Sequence, residues 1–423
     1  MKVSKERFIG LEWLRFLLGC YVMIYHTLHV YPQRFNIPFL DELTSMGFFA
    51  TSTFFVLSGF LLAHVYIRDG QLREPARRFM AKRLFNLYPI HIIGLVSSIL
   101  VVMLMQWLAI PPEGQVASAR FVIYDSNQPG VDPATLRHYM DNVQLTFNSL
   151  LQLLLLQAWN PYFLTFNAPL WSLSTLFFFY LLFPLLAPRL MNSRYPRRWL
   201  AFIFVLYLLP AVWVVWHKLY GMPYTGLLQR GPLFRLPEFL AGILGYAIFR
   251  QYKDGVVPAL TARQRRGLVA FIVVCFIIAT VLFTRGRAHW YFLLHNGLLL
   301  PSQVLLVCLS AQARDPSSEL IRKWSPRLGA ASLSIFALHV PLFNLYRTLE
   351  QLVRANPITC FSNWSQCVIT AGQVQLSMTG YGIFLLTTVA LCVIFQEQVV
   401  VRIRNALTDR FLNRRLTESS SAA

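Results

Sequence analysis

Ten runs of about 20 mostly apolar residues follow one another along this chain, at 8–30, 46–66, 84–107, 168–187, 199–217, 234–250, 267–284, 290–311, 331–349 and 377–397. A helix of about 20 residues rises about 30 Å, the thickness of a bilayer's hydrocarbon core. A sequence that repeats such a run ten times has few ways to fold other than as a bundle of membrane helices. Composition agrees, because 56% of residues are hydrophobic and 13% are charged. A water-soluble domain has no means of hiding that much apolar surface. The predicted fold class is an all-α polytopic membrane protein of about ten transmembrane helices. One membrane domain is expected over 1–415, with a disordered tail at 416–423 and no separate soluble domain.

The formal charge of +20 would suggest nucleic acid in a soluble protein, but its distribution argues otherwise. Segments 1–7, 67–83, 187–198, 249–266, 312–328 and 398–423 hold 27 of the 38 Lys and Arg residues, and the five intervening loops hold 8. Cytoplasmic loops carry such an excess of positive charge, so both termini are expected in the cytoplasm and no nucleic-acid partner is expected. The first run has no small-residue cleavage site and contains Arg15, and so reads as a retained helix rather than a cleaved signal peptide.

Between the third and fourth runs lies the longest outer loop, about 108–148, with Pro111-Pro112 and Pro129-Gly130. The run Leu150 to Trp159 that follows is too short to span and reads as an interfacial or re-entrant helix. Cys20, Cys275, Cys308 and Cys392 lie in apolar runs and read as core residues. Cys360 and Cys367 share one polar loop and form a local disulfide if that loop faces an oxidising compartment. Two cysteines without a neighbouring histidine do not make a zinc site, and no metal is expected.

Ionisable residues inside the runs carry the functional signal. Arg15 and His26 are eleven residues apart, about 1100° of helical rotation and about 16 Å of rise, so they share one stripe at two depths. Burying a cation in hydrocarbon costs at least about 2.5–3.5 kcal/mol on insertion scales, so the stripe should face protein or water. A neutral imidazole at His26 suits a general base toward a hydroxyl, or a packed histidine inside the bundle. Arg15 suits an anionic or polarised group, or a simple ion pair with Glu12 one turn away.

Other candidates carry paired readings too. Ser58-Gly59 offers a close helix contact or a substrate contact. The basic segment with Arg78, Lys82 and Arg83 offers a phosphate clamp or ordinary inner-face charge. Arg235 and Glu238, one turn apart, form an internal ion pair or part of a polar path, and His339 is a second polar wall or a packing residue. No glycine-rich phosphate loop and no internal repeat is present, which disfavours an ATP-driven pump and gives an inverted-repeat transporter no support.

Six stretches in register resemble the acyltransferase-3 family of integral membrane acyltransferases: Arg15 to His26, FFVLSGFLL at 54–62, RLFNLYP at 83–89, LWSLS…FYLLFPLL at 170–186, FRLPEFLAG at 234–242 and SIFALHVPLF at 334–343. The resemblance implies transfer of an acyl group, usually acetyl, from cytoplasmic acyl-CoA to a hydroxyl of an envelope or exported glycan. It implies a catalytic role for His26 with Arg15 as its partner, donor contacts at Arg78, Lys82 and Arg83, and a pore or acceptor side formed by Ser58, Trp171, Ser172, Arg235, Glu238 and His339. Acetyl-CoA would be a donor substrate, with no permanently bound cofactor. The lipid bilayer and a glycan or glycolipid acceptor would be the partners, in a bacterial inner membrane.

Two positions depart from the family pattern. Leu176 stands where members commonly carry an acid, and Asn86 stands where the basic pair before Tyr88-Pro89 has its second arginine. Lys82 and Arg78 are expected to compensate for Asn86. Two rival functions stand beside this one: a transporter or flippase of lipid-linked sugars that uses the same stripe as a path, and a non-catalytic subunit of an envelope-polymer machine, for which the missing acid at Leu176 is the motive.

Overall fold

The computed structural model describes residues 8–108, 121–123, 137–355 and 357–413. The basic segment 1–7, the Pro111-Pro112 and Pro129-Gly130 pairs and the tail 416–423 lie outside them. Each of the ten apolar runs falls in helix: α1 (Ile9–Thr27), α3 (Gly47–Tyr66), α4 (Ala76–Trp107), α6 (Trp171–Met191), α7 (Pro196–Trp216), α9 (Pro232–Lys253), α10 (Ala262–Arg285), the pair α11 (His289–Leu293) and α12 (Leu300–Ala311), α13 (Glu319–Ala355), and α16 (Met378–Phe395), which a π-helical turn joins to α17 (Val401–Thr408). Shorter helices α2 (Leu40–Thr44), α5 (Asn142–Leu153), α8 (Tyr224–Arg230), α14 (Pro357–Ser362) and α15 (Trp364–Gly372) sit in the connections. The protein is all-α and polytopic.

Among the described residues eight helices are long and apolar enough to cross a membrane, and a ninth if the pair from His289 to Ala311, bent by 40°, is one span. α1 falls outside that count because Glu12, Arg15 and His26 interrupt its apolar run. It is nonetheless an inner helix, with Leu11, Val22 and Met23 each 1% exposed, and it packs against α13, α3 and α12. Neighbouring helices, rather than its own apolarity, give α1 its place.

Two elements differ from the sequence expectation. The basic segment 77–83 is not a linker but the first turns of α4, which begins at Ala76 directly after Pro75. Proline tolerates a helix start, and lysine and arginine are good helix formers, so the helix extends past its apolar stretch. The short run expected at 150–159 is helical earlier, over Asn142–Leu153, because Asp141 and Gln144 build a capping box there. Val143, Phe147, Leu150 and Leu153 on α5 are exposed, whereas Asn148 and Gln152 on its other side are buried. The chain then dips into the bundle. Gln152 accepts a hydrogen bond from His91 of α4 through its carbonyl (2.8 Å), and Asn167 Nδ2 donates to the carbonyls of Gly94 (3.2 Å) and Ala337 (2.9 Å).

Strands are few. Ile67–Arg68 (β1) and Gln71–Leu72 (β2) pair antiparallel, Ile67 opposite Leu72, and three short strands, Phe121–Ile123 (β3), Arg137–Tyr139 (β4) and Leu164–Thr165 (β5), form an antiparallel sheet in the order β4-β3-β5. Cys360 and Cys367 are joined by a disulfide between α14 and α15.

Close approach of backbones sets the centre of the bundle. A Cβ at Gly59 of α3 would lie 2.0 Å from the Phe239 carbonyl oxygen, and one at Gly242 of α9 would lie 1.9 Å from that of Val56. Small residues at both sides let these helices touch main chain to main chain. Phe55, Phe60, Phe179, Phe183 and Phe239, each at most 1% exposed, fill the space around that crossing.

Candidate active site

His26 sits in the last turn of α1 and is half-buried. Its ring lies nearly parallel to that of His339, with centroids 5.3 Å apart and planes 24° apart, and meets Tyr25 edge-on at 4.8 Å. Neither ring nitrogen of His26 makes a hydrogen bond among the described residues, so both stay available to a substrate. His339 comes from the middle of α13 and is fully buried, with Nδ1 3.0 Å from the Ile335 carbonyl oxygen one turn back.

Arg15 lies two depths away on the same helix. Its Nη1 is 3.5 Å from Glu12 Oε2, and both side chains are partly exposed (30% and 22%). This is a long, single contact, and it engages one of the five donors of a guanidinium. Glu12 is itself held from behind, since a Cβ at Gly329 of α13 would come within 2.2 Å of Glu12 Oε2. The ion pair is real but does not saturate Arg15.

Near Arg15 three other helices contribute polar groups. Arg83 of α4 donates to the Tyr66 hydroxyl (2.5 Å) and lies 4.9 Å over the Tyr66 ring. Tyr180 of α6 reaches Ser58 of α3 and has Arg83 and Arg15 as its neighbouring cations. Cations stacked on aromatic faces retain hydrogen-bonding edges for an anion. Arg78 and Lys82 sit differently, because both pair with Glu74 just before α4, Arg78 at 3.7 Å and Lys82 in direct contact. Of the three basic residues, Arg83 alone faces a tyrosine pair rather than a carboxylate. Asn86 is half-buried, and Leu176 lies in the apolar core at 8% exposure, where an alkyl side chain fits.

A third cluster is fully enclosed. Arg235 and Glu238 of α9, 1% and 0% exposed, pair at 3.0 Å. Arg235 also donates to Ser52 (2.7 Å) and to the His295 carbonyl (3.0 Å), and the Tyr207 hydroxyl lies 2.7 Å from Glu238 Oε1 and 2.9 Å from that same carbonyl. His295 is in the π-helical stretch between α11 and α12, where Asn296 and Gly297 leave helical geometry. The irregular backbone frees a carbonyl that would cost several kcal/mol unpaired in a low-dielectric setting, and the ion pair and tyrosine satisfy it. Ser172 donates to the Pro169 carbonyl at 3.0 Å, and Trp171 packs on Phe55 with centroids 6.0 Å apart. These four residues are engaged by protein groups.

The sequence-derived candidates therefore fall into separate neighbourhoods: His26 with His339, Arg15 with Ser58 and Arg83, Arg78 with Lys82, and Arg235 with Glu238. Tyr66, Glu74, Tyr180 and Tyr207 were not singled out from sequence. Tyr180 closes the 171–180 stretch and could have been noticed there; the others carry no local pattern. No group of three His, Cys, Asp or Glu side chains converges as metal ligands among the described residues.

A bundle of membrane-length helices built around an inner helix with an arginine and an unpaired histidine defines a polytopic membrane protein with an intramembrane polar site. The sequence matches the acyltransferase domain of the acyltransferase-3 family over residues 8–397, and the chain belongs to that family. It is also 29% identical over 169 residues to "Acyltransferase MdmB" of Streptomyces mycarofaciens, a match covering 37% of this chain and 34% of that protein. The chain thus spans about a third of the length of the curated relative it matches. No solved structure matches it.

Proposed function

We propose that the protein is a membrane O-acyltransferase that moves an acyl group, acetyl in the simplest case, from cytoplasmic acyl-CoA to a hydroxyl of a cell-envelope or exported glycan. The carrying observation is α1 itself: a half-buried histidine with both ring nitrogens unengaged at one depth, and an incompletely paired arginine at another. Family membership supports the reaction class. In this reading both termini and the Arg15 end face the cytoplasm of a bacterial inner membrane, in line with the distribution of basic residues.

The chemistry follows from those side chains. His26 takes the proton of the acceptor hydroxyl as its oxygen attacks the thioester carbonyl. The tetrahedral intermediate collapses with cleavage of the carbon–sulfur bond, and the departing thiolate takes up the proton. An ester and free CoA result, and no external energy source is needed. Arg15 and Arg83 offer charge to the phosphates or the developing oxyanion, with Tyr66 and Tyr180 orienting Arg83 and Ser58 beside them. Arg78 and Lys82, which share the single carboxylate of Glu74, contribute less than Arg83.

Deleting the protein from its source cell should remove ester-linked acyl groups from one glycan. Wild-type protein should restore them, and His26→Ala protein present at an equal level should not. Unchanged glycan esters after deletion, combined with altered glycan export, would favour the flippase reading instead.

A further inference from the structure

His339 holds a group that the transfer chemistry above leaves idle. Its Nδ1 faces the Ile335 carbonyl at 3.0 Å. A carbonyl only accepts, so Nδ1 carries the proton, and in the neutral ring Nε2 carries a lone pair. That Nε2 is buried and has no hydrogen-bond partner among the described residues. Buried acceptors without a donor are rare, since burial removes the water that would satisfy them.

The ring beside this lone pair is that of His26, nearly parallel to it at 5.3 Å. The Nδ1 edge of His339 turns back onto its own helix, so the opposite edge, with Nε2, points away from the Ile335 carbonyl while the ring faces pack together. A molecule whose hydroxyl engages His26 has its neighbouring atoms close to a second imidazole whose ring centroid is 5.3 Å away. A bound acceptor that keeps water from Nε2 must supply a donor in its place.

We propose that His339 Nε2 accepts a hydrogen bond from a second hydroxyl of the acceptor, adjacent to the one His26 deprotonates, and thereby selects acceptors with two neighbouring hydroxyls, as on a sugar ring. The proposal rests on the acyl-transfer reading for the meaning of the word acceptor, but the selectivity is a property of binding. A site built to hydrogen-bond a hydroxyl rejects an analogue that lacks it, because the buried partner is left unpaired.

Binding is measured without any acyl donor, so that turnover plays no part. Full-length protein in lipid nanodiscs is titrated with a cyclohexane ring bearing two adjacent cis hydroxyls, and separately with cyclohexanol. Wild-type protein should bind the diol more tightly, by about tenfold. His339→Phe, which keeps a ring against His26, should bind both compounds alike, and His339→Gln, which restores a side-chain acceptor, should recover part of the preference. Equal binding of diol and mono-ol by wild-type protein would overturn the proposal, and so would a diol preference that survives in His339→Phe. Should His339→Phe fail to fold, His339→Leu takes its place as the variant without an acceptor, with the same expectation that diol and mono-ol bind alike. Adding acetyl-CoA afterwards tests the transfer reading separately: diol preference with no release of CoA would sink that reading and leave the selectivity standing.

Discussion

At the scale of single residues, the account turns on which polar groups are engaged and which are left open. Arg235, Glu238 and Ser172 each hydrogen-bond to protein groups, with Arg235 Nε and Glu238 Oε2 left over among the described residues, whereas His26 makes no hydrogen bond there and Arg15 makes one long contact. Arg15→Lys keeps the charge but loses the fork of a guanidinium, and should reduce acyl transfer strongly with little change in protein level, checked by CoA release at matched protein. Tyr66→Phe removes the hydroxyl to which Arg83 donates. A hydrogen bond to a charged group is worth about 1.5–3 kcal/mol, so the KM for acyl-CoA should rise about tenfold or more, while Lys82→Ala, whose ammonium is held by Glu74, should change it less. The Arg15–His26 stripe was legible in sequence because helical period alone places two residues on one face. Tyr66, Tyr180 and Glu74 were not, because their roles are contacts between elements, and no period within one helix encodes which neighbour it will meet.

At the scale of elements, the helices follow from length and apolarity, and their departures follow from local chemistry. Pro75 and the helix-forming basic residues carry α4 back to Ala76, which fixes Arg78, Lys82 and Arg83 on a rigid helix rather than a loop. The crossing of α3 and α9 depends on missing side chains. Gly242→Val would drive a methyl into the Val56 carbonyl, and overpacking of this kind costs about 1–3 kcal/mol or more. The variant should unfold at clearly lower temperature in detergent than Gly267→Val, where a Cβ meets open space. The Ser58-Gly59 pair had signalled a close helix contact, and Gly59 makes it. The bend between α11 and α12 was not legible, because His295-Asn296-Gly297 sits within an otherwise continuous apolar run and its break is held by Arg235 and Tyr207 from other helices.

At the scale of the whole molecule, an inner helix too polar to pass as a membrane span packs against α3, α12 and α13, in a bundle where eight or nine helices among the described residues do pass. That packing buries one side of α1, through Leu11, Leu14, Leu18 and Val22, and leaves Leu17 exposed on another. The charge distribution supports one direction for the bundle, which labelling can check. A membrane-impermeant maleimide should modify Arg287→Cys in intact cells, and Asp254→Cys only after lysis, both positions being exposed at opposite ends of the segment around α10. The disulfide between Cys360 and Cys367 belongs, in the same orientation, to the oxidising side. The most direct test of the central claim uses purified protein in nanodiscs with acetyl-CoA and the glycan whose esters disappear on deletion, following free CoA and ester together. Wild-type protein should form one ester for each CoA released, and His26→Ala should lower that rate on the order of 10²–10⁴-fold while still folding. A His26→Ala protein that acylates the glycan at the wild-type rate would contradict the account.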